Sequence, residues 1–224
     1  MLSVIIPVYN EEKTIAQIIK KISAVNIDKE IIIVDDYSKD NTRSILKSFF
    51  QNNNIKIFFS LKNRGKGASV RTGIENAHGD FIVIQDADLE YDPEDLTKLL
   101  AIAENQEADL VLGARFKDKR RGMTIPKLGN LFLTFLFNLL FGTRFNDCLT
   151  CYKLMRREKF SNSIFKSDGF DIEMEILTYA VKNKMHIAEA AISYFPRTYR
   201  KGKKIRIKDG IWLAFRILYF RLKR

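Results

Sequence analysis

The sequence predicts an α/β fold in which a mostly parallel central sheet lies between two layers of helices. Through the first half of the chain, short apolar segments alternate with longer segments whose apolar residues recur at helical spacing. The short segments are rich in isoleucine and valine and alternate little, as expected of strands that are covered on both faces. Acidic and polar residues follow where several of them end. Together these three observations favour parallel strands connected by helices.

The first strand and the first helix show the pattern clearly. The strand is predicted at Leu2 to Val8, which is apolar apart from Ser3 and Pro7. A helix is predicted to begin at Asn10-Glu11-Glu12. Its apolar residues recur at i, i+3, i+4 and i+7 and should form one buried stripe, which consists of Ile15, Ile18, Ile19 and Ile22.

The alternation continues through three more helices. Strands are predicted at Glu30 to Val34, Ile55 to Phe59, Asp80 to Gln85 and Asp109 to Gly113. Helices are predicted at Thr42 to Phe50, Ala68 to Asn76 and Asp92 to Asn105. Capping side chains precede the first of these helices, a glycine-rich turn at Asn63 to Gly67 precedes the second, and an aspartate followed by proline begins the third. Because ligands of such sheets bind beyond the carboxyl ends of the strands, the polar residues there should converge on one crevice.

The second half of the chain is less regular. Helices are predicted at Leu128 to Phe141, Ile172 to Asn183 and Lys208 to Arg224, and strands at Cys151 to Arg156 and Ile187 to Phe195. The last helix is amphipathic, with apolar residues at Ile211, Phe215, Leu218 and Leu222. The sequence contains no repeat, low-complexity tract or linker, so we expect residues 1–224 to form a single domain.

The chain is strongly basic, with a formal net charge of +11. The positive charge is concentrated in two clusters, which consist of Lys117, Lys119, Arg120, Arg121 and Lys127, and of Arg197, Arg200, Lys201, Lys203, Lys204, Arg206 and Lys208. Nucleic acid, phosphorylated small molecules and anionic membranes are all suitable partners for such clusters. A solvated basic loop without a ligand is the simplest alternative.

The expected lack of targeting signals and the low cysteine content indicate the cellular compartment. The first predicted strand begins at Leu2, which leaves no secretory signal, and no apolar segment reaches the roughly 18 to 20 residues that span a bilayer. Cys148 and Cys151 form a C-x-x-C pair, but a zinc site would need two more ligands and the histidines are His78 and His186. We therefore expect a cytoplasmic protein with two reduced, partly buried thiols.

The most informative segment follows the fourth strand. Its apolar residues end in Asp86, Asp88 and Glu90, which stand at alternate positions. Carboxylates so close together repel and raise each other's pKa, and a divalent cation with oxygen ligands commonly offsets that cost. An isolated D-x-D is more often a solvated acidic turn, but here it falls at the predicted crevice. The sequence therefore predicts a metal site that holds a diphosphate.

Four segments in order resemble the motifs of the family 2 glycosyltransferases, which have the GT-A fold. The segments are Val4 to Glu12, Ile33 to Thr42, Asn63 to Gly67 and Asp86 to Asp88. Two others, Gly113 to Phe116 and Gly169 to Glu173, are similar to the dolichyl-phosphate mannosyltransferase branch. The resemblance implies a Rossmann-like three-layer sandwich with amphipathic C-terminal helices, in which residues 1–115 bind a nucleotide-sugar and residues 116–224 bind the acceptor.

The resemblance also implies roles for individual residues. A GDP- or UDP-linked sugar would be bound by Pro7, Tyr9, Glu11, Val34, Asp36, Lys66, Asp86 and Ala87. Mg²⁺ or Mn²⁺ would be held by Asp86, Asp88 and Glu90, and would take up charge on the leaving nucleoside diphosphate. Asp88 and Arg115 would be the catalytic residues. Gly65 and Gly67 would either contact phosphate or form a plain tight turn before a helix.

The acceptor implied by the resemblance is a polyprenyl phosphate of the dolichyl or undecaprenyl type, which would receive a hexose of the mannose or glucose class with inversion. Its oxygen is already anionic, so no strong general base is required. Arg115, Lys127 and Arg197 would bind the phosphate, or else remain surface side chains with solvated heads. The helix at Leu128 to Phe141 and the basic tail at Lys203 to Arg224 would lie on the cytoplasmic face of the membrane, or would simply pack on the sheet. Membrane contact would be direct or through a separate membrane-anchoring protein.

Alternatives remain open at this point. The acceptor could be a glycan or another hydroxyl compound, because Cys151 stands where much of the family has glycine and residues 197–204 match the mannosyltransferase pattern only loosely. A phosphatase of the haloacid dehalogenase type also has D-x-D after a buried strand, but normally on its first strand. A non-catalytic basic module for nucleic acid or membrane would explain the charge. We expect no nucleic-acid partner, because the acidic crevice would repel a polyanion.

Overall fold

A sheet of seven strands organises the computed structural model, which describes residues 1–115, 125–160, 164–197 and 207–223. The strands are β1 (Leu2–Val8), β2 (Lys29–Asp35), β3 (Ile55–Phe59), β4 (Phe81–Ile84), β5 (Leu110–Ala114), β6 (Lys153–Arg156) and β7 (Ile187–Ala191). They lie in the order β3-β2-β1-β4-β6-β5-β7. Only β6 runs antiparallel to its neighbours, β4 and β5. The predicted α/β fold with a mostly parallel sheet is confirmed.

The parallel pairing brings the polar strand ends to one edge of the sheet. Strand β1 is parallel to both β2 and β4, and Val8 at its end stands opposite Asp35. Hydrogen bonds join the loops that follow, since the Asn10 N–H donates to Ser38 Oγ over 2.9 Å. The predicted crevice therefore lies beyond the carboxyl ends of β1, β2 and β4.

Helices cover the sheet where the periodicity predicts them. They are α1 (Ile15–Ala24), α2 (Thr42–Lys47), α3 (Lys66–Glu75), α4 (Asp95–Asn105), α5 (Ile125–Phe141), α6 (Ile172–Lys182) and α7 (Ile207–Leu222). Helix α1 begins at Ile15, later than predicted, because Asn10 has a left-handed φ of 51° and Thr14 a φ of −123°, and neither value fits a right-handed α-helix. The predicted isoleucine stripe of α1 is buried.

Strand β7 is shorter than predicted and ends at Ala191 rather than at Phe195. Beyond that residue the chain turns away from β5, and the Ser193 N–H donates to Asp95 Oδ2 over 2.6 Å. Tyr194 then forms an isolated antiparallel bridge with Tyr91. The chain after β7 therefore crosses toward the residues that follow β4, and this brings C-terminal side chains to the crevice.

Helices α5 and α7 pack against each other near the end of the chain. The Nε of Arg221 donates to the carbonyl of Leu140 over 2.8 Å, so the C-terminal ends of both helices lie together. Their inner faces are buried, while their outer faces expose Leu128, Phe132, Phe135, Leu139, Ile211, Trp212, Phe215, Leu218, Tyr219 and Leu222. Most of the two predicted basic clusters, residues 117–121 and 200–206, lies outside the described residues. In the part of the chain that the structure describes, no helix combines the length and hydrophobicity required to cross a bilayer.

We predict that Gly73→Ala destabilises the protein by about 1–3 kcal/mol, the usual cost of overpacking a core. Helix α3 packs directly on β1 here, and a Cβ on Gly73 would collide with the side chain of Ile5. Gly129→Ala is the matched control, because Gly129 lies in α5 with open space where its Cβ would be. That control should be neutral or stabilising by up to about 1 kcal/mol, from helix propensity. Urea denaturation of the two variants measures both effects, and equal stabilities would contradict the packing described.

Candidate active site

Asp86 is the first residue of the acidic turn, residues 86–90, and points into a partly buried cluster. Lys66 Nζ lies 2.6 Å from Asp86 Oδ1 and 2.6 Å from Glu173 Oε1. Cys151 Sγ lies 3.5 Å from the same nitrogen. Burial alone would lower the pKa of Lys66, but Asp86, Cys151 and Glu173 raise that pKa well above its usual value. Burial likewise opposes ionisation of Asp86, yet the Lys66 ammonium holds its pKa below the usual range. The cluster therefore contains a permanent cation between two carboxylates.

Asp88 lies on the other side of the acidic turn and shares Arg197 with Glu11. Arg197 Nη1 lies 3.1 Å from Glu11 Oε2, and Nη2 lies 3.2 Å from Glu11 Oε1. The same Nη2 lies 3.3 Å from Asp88 Oδ2. One guanidinium thus joins the loop after β1 to the loop after β4. Arg197 was predicted for the acceptor phosphate, and the structure places it on two carboxylates predicted for the donor and its metal.

Glu90 is buried and anchors the chain that follows β7. Its Oε2 accepts a hydrogen bond from the Tyr194 hydroxyl over 2.7 Å, and its Oε1 accepts one from the Arg197 N–H over 2.7 Å. Its backbone carbonyl accepts a third from the Phe195 N–H over 2.8 Å. Glu90 therefore fixes residues 194–197 above the acidic turn, a task that the sequence did not indicate.

The three predicted metal ligands consequently stand in three different surroundings rather than together. Asp86 faces Lys66, Asp88 faces Arg197, and Glu90 faces the 194–197 segment. The physical reason is electrostatic, because neighbouring carboxylates repel one another and each lies next to a positive or hydrogen-donating group.

Arg115 follows β5 and is held rigidly by Asp147. Its Nε lies 2.7 Å from Asp147 Oδ2 and its Nη2 lies 2.9 Å from Oδ1, which is a bidentate pair. Both side chains are buried, at 8% and 0% exposed. Burial would lower the pKa of Arg115, but Asp147 raises it well above its usual value. The guanidinium also lies 5.2 Å from the centre of the Tyr194 ring, so Arg115 adjoins the segment that Glu90 anchors.

Asp36 holds the glycine-rich turn. Its carboxylate accepts hydrogen bonds from the Arg64 N–H, over 2.8 Å, and the Gly65 N–H, over 2.7 Å, while its contact with the nucleoside stays a prediction. Asp36 is only 4% exposed. Its two oxygens therefore fix the glycine-rich turn that leads into α3 and places Lys66.

The glycines of that turn are required for close packing. A Cβ on Gly67 would collide with the carbonyl of Ser167, and its N–H donates to the Asp168 carbonyl over 2.7 Å. A Cβ on Gly65 would meet that same carbonyl of Asp168. Of the two interpretations of these glycines, the structure shows the tight turn, and the N–H of Gly67 already donates within the protein.

The remaining predicted residues differ in accessibility. Tyr9 is 36% exposed beyond the end of β1, and Pro7 is half-buried. Val34 and Ala87 are 1% and 4% exposed and belong to the hydrophobic core, and their assignment to the nucleotide stays a prediction. Lys127 lies in the first turn of α5.

Sequence reasoning assigned no role to several residues that complete the site. Glu173 is the second carboxylate on Lys66, Asp147 is the partner of Arg115, and Tyr194 connects Arg115 to Glu90. The available signal for Glu173 was its place in the Gly169 to Glu173 segment, which resembles the family, whereas Asp147 lies in no segment that the resemblance included. No signal in the sequence pointed to Tyr194, because its position depends on the end of β7 at Ala191.

The donor atoms of the site suit a hard divalent cation. Among the described residues around the acidic turn, the carboxylates outnumber the cations Lys66 and Arg197, and carboxylate oxygens are the ligands that Mg²⁺ and Mn²⁺ prefer. Asp86, Cys151 and Glu173 have ligand atoms within 4.8 Å of one another. Burial raises the pKa of Cys151 well above its usual value, so this thiol stays protonated and is a poor ligand. The site therefore offers oxygen ligands.

Comparison with known proteins identifies similar sequences. A model of the family described as glycosyl transferase family 2 matches residues 3–163. The UDP-N-acetylglucosamine–dolichyl-phosphate N-acetylglucosaminyltransferase of Methanococcus voltae is 30% identical over 243 residues, covering 99% of this chain and 96% of that protein. The dodecaprenyl-phosphate galacturonate synthase of Rhizobium johnstonii is 26% identical over 227 residues, covering 97% of this chain and 64% of that protein.

A solved structure shows the same fold. The glucosyl-3-phosphoglycerate synthase of Mycobacterium tuberculosis, in complex with Mn²⁺, UDP and glucosyl-3-phosphoglycerate, superposes with a TM-score of 0.74 at 19% identity. The match covers 99% of this chain and 78% of that chain. At this identity the likeness shows the fold alone, which is the GT-A arrangement implied by the resemblance.

We predict that neither thiol reacts in the native protein at pH 8. Cys148 and Cys151 are 0% and 2% exposed, and burial raises the pKa of Cys148 to about 12. The thiolate is the reactive form, so Ellman's reagent should find no thiols in the folded chain and two after unfolding in guanidinium chloride. Cys148→Ser and Cys151→Ser should each reduce the second count to one. Rapid reaction of either thiol in the folded protein would contradict the burial described.

Proposed function

Because the chain belongs to glycosyl transferase family 2, we propose that it transfers a hexose, with inversion, from a nucleoside-diphosphate sugar to a polyprenyl phosphate. It is a glycosyltransferase; the donor, the acceptor and the metal ion are the proposal. The observation that carries it is one connected network at the strand ends, in which Arg115 and Arg197 stand beside the carboxylates of the acidic turn. Cations for an anionic acceptor and carboxylates for a metal-bound donor are thereby adjacent. The M. voltae and R. johnstonii relatives, whose names specify polyprenyl phosphates, support this acceptor class.

The donor would bind across the ends of β1 and β4. Tyr9, exposed beyond β1, is suited to stack on a base, and Glu11 is placed to accept hydrogen bonds from the nucleoside. Asp86 and Asp88 would hold Mg²⁺ or Mn²⁺, which would supply Lewis-acid stabilisation of the departing diphosphate, while Glu90, predicted as a third ligand, holds the 194–197 segment. Lys66, fixed between Asp86 and Glu173, would add a permanent positive charge beside the diphosphate.

Among the described residues, the shortage of a free general base at this edge of the sheet supports an acceptor that is already anionic. Asp86, Asp88 and Glu90 are engaged by Lys66, Arg197 and Tyr194, and neither histidine lies there. His78 precedes β4 and lies 3.2 Å from Lys56, and His186 precedes β7 and accepts hydrogen bonds at its carbonyl from residues 109 and 110. Both described histidines therefore lie at the amino ends of their strands, opposite the crevice. A phosphate oxygen needs no general base, whereas a hydroxyl acceptor would.

The outer faces of α5 and α7 are the proposed contact with the membrane. They expose phenylalanine, tryptophan and leucine side chains, and basic segments of the sequence precede both helices. An amphipathic surface with adjacent positive charge binds anionic lipid headgroups and buries its apolar side chains at the interface. The proposed site of action is the cytoplasmic face of the membrane, where the isoprenoid chain stays in lipid while its phosphate reaches the crevice.

The donor and the metal can be tested together by thermal shift with GDP- and UDP-sugars, each with and without Mn²⁺. We expect one nucleotide class to stabilise the protein only when Mn²⁺ is present, by about 2.7 kcal/mol at 100 times Kd. Asp88→Asn should abolish the shift and lower turnover on the order of 100-fold or more, since a developing charge loses its stabilisation. The control is Glu94→Gln, an exposed carboxylate beyond the acidic turn. Unchanged turnover in Asp88→Asn would refute the assignment.

Membrane contact is tested by flotation with vesicles. We expect binding to vesicles that contain anionic lipid, weakened by salt. The double variant Phe135→Glu/Phe215→Glu should reduce binding at least about tenfold, because it places charges on the apolar face. These side chains are 63% and 62% exposed, so the fold should be unaffected. Phe50→Glu, at a phenylalanine that is 56% exposed outside both helices, is the control. Equal binding of all three proteins would exclude this surface.

A further inference from the structure

Arg197 lies between residues proposed to bind the donor and its metal ion, although Arg197 itself is proposed to bind the acceptor. Its guanidinium lies within 3.3 Å of carboxylate oxygens of both Glu11 and Asp88. Its side chain is 16% exposed, and its backbone N–H is bound to Glu90. The proposed function assigns Glu11 to the nucleoside, Asp88 to the metal ion and Arg197 to the acceptor phosphate. All three groups are committed to one another in this structure.

These contacts exclude the proposed ligands from the same atoms. A guanidinium that donates to Asp88 takes oxygen lone pairs that a divalent ion would use, and two cations within a few ångströms of one carboxylate repel each other. A phosphate acceptor needs the donor N–H groups that now point at Glu11 and Asp88. Arg197 therefore serves either the acidic turn or the acceptor, but not both at once.

Lys66, in contrast, keeps its contacts with Asp86 and Glu173. It lies at the start of α3, is 10% exposed, and is enclosed by Asp86 and Glu173. The helix start is fixed by Asp36 and by the packing of Gly67 against Ser167. Lys66 is therefore a permanent part of the pocket, whereas the Arg197 side chain reaches the acidic turn from the chain that follows β7.

We infer that Arg197 is an internal counter-ion that competes with the metal ion for Asp88. In the free protein its guanidinium neutralises Glu11 and Asp88, so a divalent ion alone would bind weakly. When a nucleoside diphosphate binds together with the ion, their combined binding would release the guanidinium from Asp88, and its N–H groups would become available to the acceptor phosphate. This inference rests on the proposed function.

The inference predicts a measurable coupling between metal and nucleotide. In the wild-type protein Mn²⁺ alone should bind weakly, and UDP or GDP should tighten its binding; by linkage, Mn²⁺ tightens the nucleotide by the same factor. Arg197→Gln removes the competing cation, so Mn²⁺ alone should bind about tenfold more tightly and the coupling factor should shrink. Arg197→Lys keeps the charge and should stay close to wild type. Isothermal titration with Mn²⁺, with and without nucleotide, measures each value without turnover.

Arg156→Gln is the matched control for the loss of one positive charge. Arg156 stacks 4.9 Å from the ring centre of Phe81 at the amino end of β4, so its removal should leave Mn²⁺ binding unchanged. Unchanged or weaker Mn²⁺ binding in Arg197→Gln, while the nucleotide with Mn²⁺ still binds, would overturn the competition by Arg197 alone. Failure of every protein to bind UDP or GDP with Mn²⁺ would instead refute the proposed function and the inference with it.

Discussion

The arrangement of the site depends on how a group of carboxylates at the end of the sheet is neutralised. Glu11, Asp86, Asp88 and Glu90 meet there because β1 and β4 are parallel neighbours, and partly buried carboxylates repel unless cations or donors offset their charge. Lys66 and Arg197 provide that offset. Lys66 is placed by two features: Asp36 holds the glycine-rich turn that precedes it, and α3 packs against residues 167–168. The glycine-rich turn and the start of α3 therefore place Lys66 where its positive charge is needed.

The second half of the chain completes a site that the first half begins. Asp147, Glu173 and Tyr194 all follow β5, and each contacts a residue of the parallel half. The contacts run in sequence from Asp147 to Arg115, to Tyr194, to Glu90 and to Arg197. Each member is buried or partly buried, so its neighbours limit its movement. Direct contacts therefore join Arg115, a proposed acceptor residue, to the carboxylates of the acidic turn.

Much of the fold could be predicted because its signals are local. The unbroken apolar run at Leu2 to Val8 and the isoleucine spacing of α1 each depend on nearby residues, and the structure reproduces both. The partners of charged groups could not be predicted in this way. Asp36 lies in a family motif, but nothing in that motif indicates that its carboxylate accepts hydrogen bonds from residues 64 and 65, and Val34 of the same motif is also part of the core. Similarly, β6 had a strand pattern, but its antiparallel position between β4 and β5 depends on contacts distant in sequence.

The charge distribution bears on how an anionic lipid would reach an acidic crevice. The net charge of +11 would attract the protein to an anionic surface, yet the residues at the strand ends are mainly carboxylates. A phosphate that approached them without compensation would be repelled. Arg115 alone is poorly suited to compensate, because Asp147 already balances its charge within a bidentate pair. Under the proposed function, the remaining compensation would come from the Arg197 guanidinium once it leaves the carboxylates and from a metal ion bound with the donor. The charge balance of the crevice would then admit the phosphate, and the apolar faces of α5 and α7 would keep the isoprenoid chain in lipid.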